Sequence, residues 1–119
     1  VNAEYGTQIR DAVKFPNLVK DILEIVRSEL QITFDENSLH YERFVTHIKF
    51  LLQRIYKNET LPDEESELSE MMQKKYKKEY ACSKKVAEYI NQETNTTLSK
   101  EEVMYLAIHI RRVAEPENE

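Results

Sequence analysis

Only one glycine and three prolines punctuate the 119 residues of this chain. Tight turns draw on glycine's access to positive φ and on proline's fixed φ, so this scarcity leaves few places to reverse direction sharply. A loop-rich or β-turn-rich fold is excluded, and the chain must run in long, uninterrupted elements. Its length suits one domain with a modest core. Charged residues make up 33% of it, a share that fits long helices with solvated outer faces.

Apolar residues recur at helical spacing in five segments, and no segment reads as a convincing strand. The first helix is expected from about Pro16 to Leu30, because proline suits the first helical turn, where its missing N–H has no partner to lose. Leu18, Val19, Ile22, Leu23, Ile25, Val26 and Leu30 form its broad apolar face. Ile9, Ala12 and Val13 give a weaker lead-in. The second helix is expected over 36–57, capped by Asp35 or Thr33, with a stripe of Tyr41, Phe44, Val45, Ile48, Leu51, Leu52 and Ile55. A loop ending at Leu61-Pro62 separates it from a polar third helix over 64–75, carrying Leu68, Met71 and Met72. The fourth runs over 79–93 through Tyr80, Cys82, Val86, Ala87 and Ile90.

After the polar break 91–97, Ser99-Lys100-Glu101-Glu102 fits a capping box, in which the serine and the glutamate satisfy each other's backbone N–H groups. Leu98 and Val103 stand where a hydrophobic staple would clamp that turn. The fifth helix continues through Leu106, Ala107, Ile110 and Val113 until Pro116 stops it. The expected fold is therefore all-α, a compact bundle of about five helices joined by short connections.

The net charge of −5 makes the chain as a whole a poor binder of polyanions. Its densest basic cluster, Lys74 to Lys85, is offset by the acidic run Glu59 to Glu70 and reads as a solvated face. Cys82 is the only cysteine, so no internal disulfide forms and no zinc site can rest on thiolates. A reducing cytoplasm is the expected compartment. No signal peptide or membrane-spanning apolar run stands in the sequence. The chain opens on Val1-Asn2-Ala3 without an initiator methionine, as an excised fragment or processed chain would.

Two of the three histidines stand out. On a wheel of 100° per residue, His47 falls about 100° from the centre of the second helix's apolar stripe. His40, Arg43 and Arg54 lie at i−7, i−4 and i+7 from it. His109 falls roughly 95° from the stripe centre of the fifth helix, with Glu102, Tyr105 and Arg112 as its surface neighbours. Half-buried, hydrogen-bonded rim histidines are the commonest outcome of such a pattern. Zinc is disfavoured, since no HExxH or Cys/His spacing is present. A serine–histidine–acid centre lacks its glycine-bearing nucleophile turn. Phosphoryl acceptance is the reading with a specific chemical case. Neutral imidazole is a good nucleophile near pH 7, and arginine is shaped to hold a phosphoryl group by paired hydrogen bonds.

The segments around these histidines add a resemblance. Tyr41-Glu42-Arg43-Phe44-Val45-Thr46-His47-Ile48-Lys49-Phe50 resembles the first histidine motif of a PTS regulation domain (PRD), and Glu101-Glu102-Val103-Met104-Tyr105-Leu106-Ala107-Ile108-His109-Ile110 resembles its second. Tyr80-Ala81-Cys82 and Val86-Ala87-Glu88-Tyr89-Ile90 are also similar to that family. The likeness runs from about Phe15 to Val113. It is similar to the second of the two such domains that follow a small RNA-binding domain in BglG/LicT-type antiterminators.

That resemblance implies a compact helical bundle without catalytic turnover or cofactor. His47 and His109 become the phosphoryl acceptors, and His40 matches no acceptor and is left as a surface residue. The implied donors are the phosphocarrier protein HPr or a sugar-specific enzyme II. The implied consequence is a shift in homodimerisation, which reaches RNA only through the missing N-terminal domain, with no role for a membrane. Arg43, Arg54 and, more weakly, Arg112 are expected from helix spacing to hold the phosphate. The expected organisation is a remnant of the preceding domain or linker over 1–8, the regulatory domain over 9–115 and a frayed tail over 116–119. Two other readings stay open: a histidine-phosphotransfer domain of a two-component relay, and a PRD of a larger transcriptional activator.

Overall fold

The computed structural model describes the backbone of residues 2–59 and 67–114, and side chains from position 16 onward. It holds five α-helices: α1 (Asn2–Leu30), α2 (Leu39–Tyr56), α3 (Glu67–Lys75), α4 (Lys77–Thr94) and α5 (Lys100–Ala114). The described residues contain no strand, so the all-α bundle expected from the apolar spacing is what forms. The expected end of the second loop at Leu61-Pro62, the stop at Pro116 and the charged tail lie outside the described residues.

Helix ends differ from the sequence reading where local chemistry decides them. α1 continues across Pro16, which stands inside it rather than at its first turn. A proline there removes one backbone hydrogen bond. The apolar face beyond it, with Leu18, Val19, Ile22 and Val26 in the core, offsets that loss through packing. α2 starts later than expected and is capped by Ser38, not by Asp35 or Thr33. The Ser38 Oγ accepts from the Tyr41 N–H at 3.1 Å. Asp35 instead accepts from the Asn37 N–H at 3.1 Å and shapes the turn before the cap.

With glycine almost absent, side-chain-bearing residues take the left-handed positions that end helices. Gln31, Asn58 and Asn95 have φ of 53°, 57° and 57°. Asparagine tolerates this region through its short polar side chain. Beyond Gln31, the Ile32 N–H reaches back to the Arg27 carbonyl at 3.1 Å, and beyond Asn58 the Glu59 N–H reaches Arg54 at 2.8 Å. These six-to-one bonds satisfy carbonyls that the helix leaves open.

The core sits between α1, α2, α4 and α5. Ile22, Val26, Phe44, Ile48, Leu51, Leu52, Val86, Ile90, Leu106 and Ile110 have no exposed surface. Each such side chain contributes about 1.5–3 kcal/mol on leaving water. Phe34, in the α1–α2 connection, wedges between Tyr41 and Phe44 with ring centroids 5.3 and 6.5 Å away. α1 and α4 run antiparallel and are tied on their outer side by Tyr89 to Asp21 at 2.6 Å and Lys85 to Glu29 at 2.7 Å. Leu98 and Val103 both join the core, as a staple would place them.

α3 departs most from its expected packing. Met72 packs on a small cluster of Tyr80, Met104 and Ala107, but Leu68 and Met71 are 54% and 66% exposed. Nine residues offer only one narrow buried edge, and here it passes through Ser69 and Met72. At the α3–α4 junction the Arg111 guanidinium lies 4.3 Å from the Tyr76 ring centroid and 3.8 Å from the Glu79 carboxylate. This contact fastens the junction to α5.

Candidate functional site

The seam between α2 and α5 carries two polar rungs. The helices run antiparallel, so residues spaced equally along each meet in pairs. His47 meets His109, their rings stacked with centroids 4.2 Å apart and planes 25° from parallel. Arg54 meets Glu102, its Nη2 lying 2.8 and 2.9 Å from the two carboxylate oxygens and its Nε 3.3 Å from one of them. The partners of one rung lie seven residues from those of the other on both helices, a rise of roughly 10 Å.

The lower rung is closed. Glu102 has no exposed surface, and the Arg54 side chain is 28% exposed. A buried carboxylate needs such a partner, because desolvation without one costs several kcal/mol. The Glu102 N–H is also received by the Ser99 Oγ at 3.2 Å, which supplies the serine half of the expected capping box. Glu102 therefore joins the start of α5 to the last turns of α2.

The upper rung is open. His47 and His109 are half-buried, at one side of a groove of about 400 Å³ lined also by Leu39, Glu42, Arg43, Thr46 and Phe50. Leu39 and Phe50 are more than half exposed there. Burial, reinforced by the proximity of His109 and then Arg54, lowers the His47 imidazole to about 4. Burial and the Arg112 charge lower His109 below its ordinary value as well. Both rings are therefore neutral near pH 7. The His47 Nε2 atom is buried without a hydrogen-bond partner, a state that normally costs about 1–3 kcal/mol. The two half-buried rings beside the groove thus keep nitrogen lone pairs that no proton occupies near pH 7.

The structure brings His47, His109 and Arg43 together around one groove. Arg43 and Arg112 are exposed, and Arg112 bears on His109 electrostatically. Arg54 also bears on His47, but its guanidinium is engaged by Glu102. His40 is half-buried rather than a plain surface residue. Two features escaped the sequence reading: the stacking of the rings and the Arg54–Glu102 pair. The spacings that carry them were visible, since Arg54 follows His47 by the same interval at which Glu102 precedes His109. Only an antiparallel pairing of the two helices turns that coincidence into contacts.

Elsewhere, Cys82 is buried and its thiol is pushed up to about 12, chiefly by burial; that makes it a core residue and a poor nucleophile. Among the described residues no group of three or more histidine, cysteine, aspartate or glutamate side chains is arranged to hold a metal ion. No described helix is long and apolar enough to cross a membrane.

Known proteins share this sequence pattern. A family model described as "PRD domain" matches residues 20–113. The chain is 38% identical over 113 residues to the transcription antiterminator LicT of Bacillus subtilis (strain 168), covering 95% of this chain and 41% of that protein. It is 35% identical over 113 residues to the beta-glucoside operon antiterminator of Dickeya chrysanthemi, covering 95% and 40%. It is 30% identical over 103 residues to protein GlcT of Staphylococcus aureus (strain JH9), covering 87% and 36%. The chain thus spans about two-fifths of the length of these relatives.

Proposed function

Because the chain belongs to the PRD family, we propose that it is a regulatory domain of a sugar-operon antiterminator, switched by phosphorylation of His47 and His109. Two of its relatives are named as antiterminators, the histidine motifs resemble those of a PTS regulation domain, and the chain looks like the second of the pair found in such proteins. The donors are HPr or a sugar-specific enzyme II of the phosphotransferase system, and the setting is the cytoplasm. The domain performs no turnover of its own. It presents imidazoles, and the donor brings the activated phosphoryl group.

One observation carries this reading: two imidazoles from different helices stack at the wall of an open groove and are kept neutral by burial. Neutrality leaves a ring-nitrogen lone pair for attack. Arg43 and Arg112 supply positive charge for the incoming phosphoryl group, and Arg54 joins them only by giving up some of its hold on Glu102. A phosphoryl group adds a charge of about −1.5 to −2, by analogy with hydroxyl phosphorylation. It arrives beside exposed Leu39 and Phe50, so it changes the surface that a second copy would meet. A bias of ~1–3 kcal/mol is enough to shift a dimer population several-fold or more. RNA binding then follows through a separate N-terminal domain.

The test is incubation of the chain with phosphoenolpyruvate, enzyme I and HPr, followed by peptide mapping at neutral to alkaline pH. Label on His47 or His109 is expected. Its absence, with HPr itself labelled, rules out HPr as donor. If a sugar-specific enzyme II also fails to transfer label, the phosphorylation reading falls.

A further inference from the structure

The surface of α3 carries a pattern that the histidine groove does not explain. Two acids, Glu67 and Glu70, stand towards its start and two lysines, Lys74 and Lys75, at its end, all four exposed. Among them are Leu68 and Met71, 54% and 66% exposed. We propose that this face pairs with the same face of a second copy of the chain, the two α3 helices packing antiparallel about a twofold axis at Met71. The pairing goes beyond the histidine reading and needs no phosphoryl group.

A contact between identical faces uses one surface twice, so that surface must complement itself after a half-turn. α3 meets this condition position by position. Met71 is the middle of its nine residues. Glu67 stands four places before it and Lys75 four places after, a rise of about 6 Å in either direction. Leu68 stands three places before it and Lys74 three after. An antiparallel partner therefore sets Glu67 of one copy near Lys75 of the other and Met71 against its own counterpart. Leu68 then meets the methylene stem of the other copy's Lys74. A parallel pairing would set glutamate against glutamate and lysine against lysine, which repel.

The order of these charges also suits the helix dipole, which favours acids at the start of a helix and bases at its end. The dipole gives no reason for a leucine and a methionine to be left in water among them. Within the described residues the buried edge of α3 passes through Ser69 and Met72 and leaves both side chains uncovered. Lys75 lies 5.4 Å from the Tyr76 ring centroid and stays exposed. Nine residues offer an interface well below the ~1,200 Å² of a stable complex, and its charges are screened by salt. The pairing is accordingly weak and salt-sensitive. It gains strength where other surfaces already hold two copies together, because the second contact then forms at high effective concentration.

The experiment uses the unmodified 119-residue chain with both seam histidines intact in every variant, so its outcome does not depend on phosphorylation. Sedimentation at low salt compares the parent with Glu67→Lys/Glu70→Lys and with Lys74→Glu/Lys75→Glu. Each variant alone is expected to self-associate about tenfold or more weakly than the parent, and their equimolar mixture to recover the parent's association. Met71→Cys provides a test that leaves the charged helix ends untouched. Cys82 is buried with its thiol pushed up to about 12, so the introduced thiol is the reactive one. Oxidation with copper–phenanthroline is expected to cross-link Met71→Cys into a dimer about tenfold or more faster than Gln73→Cys, which lies about 160° away around the helix. Equal cross-linking rates overturn the proposal, and so does a mixture of helical charge variants that associates no better than each alone. If the charge variants lose helix by circular dichroism, the two cysteine variants decide. Binding of the parent to phosphatidylglycerol vesicles without any self-association assigns the face to a lipid surface and overturns the pairing.

Discussion

The two rungs of the α2–α5 seam are built from opposite chemistry. Arg54 and Glu102 bring full charges that satisfy each other, the carboxylate entirely out of water. His47 and His109 bring neutral rings, with one buried nitrogen left without a partner. A charge already matched holds two helices in register and resists change. A neutral pair beside an open groove leaves room for a charge that has not yet arrived. The closed rung is therefore read as the fastening of the seam, and the open rung as its responsive part.

The sharpest way to break this comparison is to unpair the closed rung. Arg54→Met takes the guanidinium away from the buried Glu102 carboxylate and is expected to destabilise the domain by about 3–5 kcal/mol, the range for removing one partner of a buried ion pair. Urea denaturation measures it. The double variant Arg54→Met/Glu102→Met should recover most of that loss, because an apolar pair of similar volume needs no counter-charge. If the single variant is as stable as the parent, the rung is not a fastening.

The open rung should show itself in acid. The His47 imidazole sits at about 4 in the folded chain, against about 6.5 when unfolded. The unfolded state thus binds the proton first, and stability falls as pH drops through that window. For His47 alone the loss is about 3 kcal/mol between neutral pH and pH 4, and His109 adds to it in the same direction. His47→Gln should flatten that part of the profile, whereas the Arg54→Met/Glu102→Met double variant should keep most of it, because burial outweighs the Arg54 charge as its cause. Denaturation midpoints at several pH values check both.

A smaller effect is expected from adding a permanent charge. His47→Asp and His109→Asp imitate part of a phosphoryl group's charge, and on the proposed function they shift self-association by ~1–3 kcal/mol. Sedimentation at several concentrations measures it. Unchanged assembly in both variants removes the switching role while leaving the fold intact. The least effect on folding is expected at the groove's exposed cation. Arg43→Ala should alter stability by no more than about 0.5 kcal/mol and slow phosphoryl transfer by a few-fold, a separation read from unfolding curves and initial rates.

Much of the architecture was legible along the chain. Apolar spacing located all five helices, because burying a stripe at a period of 3.6 residues leaves a direct trace in sequence. The Ser99 cap and the Leu98–Val103 staple were legible for the same reason, since their partners lie within one turn. Helix ends were less so. Ser38, Asp35 and Thr33 are all competent caps, and competition within the turn selected Ser38. Pro16 looked like a beginning because proline favours first turns, yet α1 runs on both sides of it. Leu68 and Met71 looked like core residues because spacing marks an apolar face without saying whether another element covers it.

The sequence by itself determined which residues line each helix face and that two histidines stand at the margins of two such faces. Those facts depend on contacts no more than a turn or two apart, so local periodicity encodes them. That His47 lies against His109, that Arg54 is committed to a buried Glu102, and that burial holds both rings neutral were decided only by the tertiary structure. The antiparallel register of α2 and α5 comes from packing the whole core, and contacts across such a seam leave no signature within either helix alone.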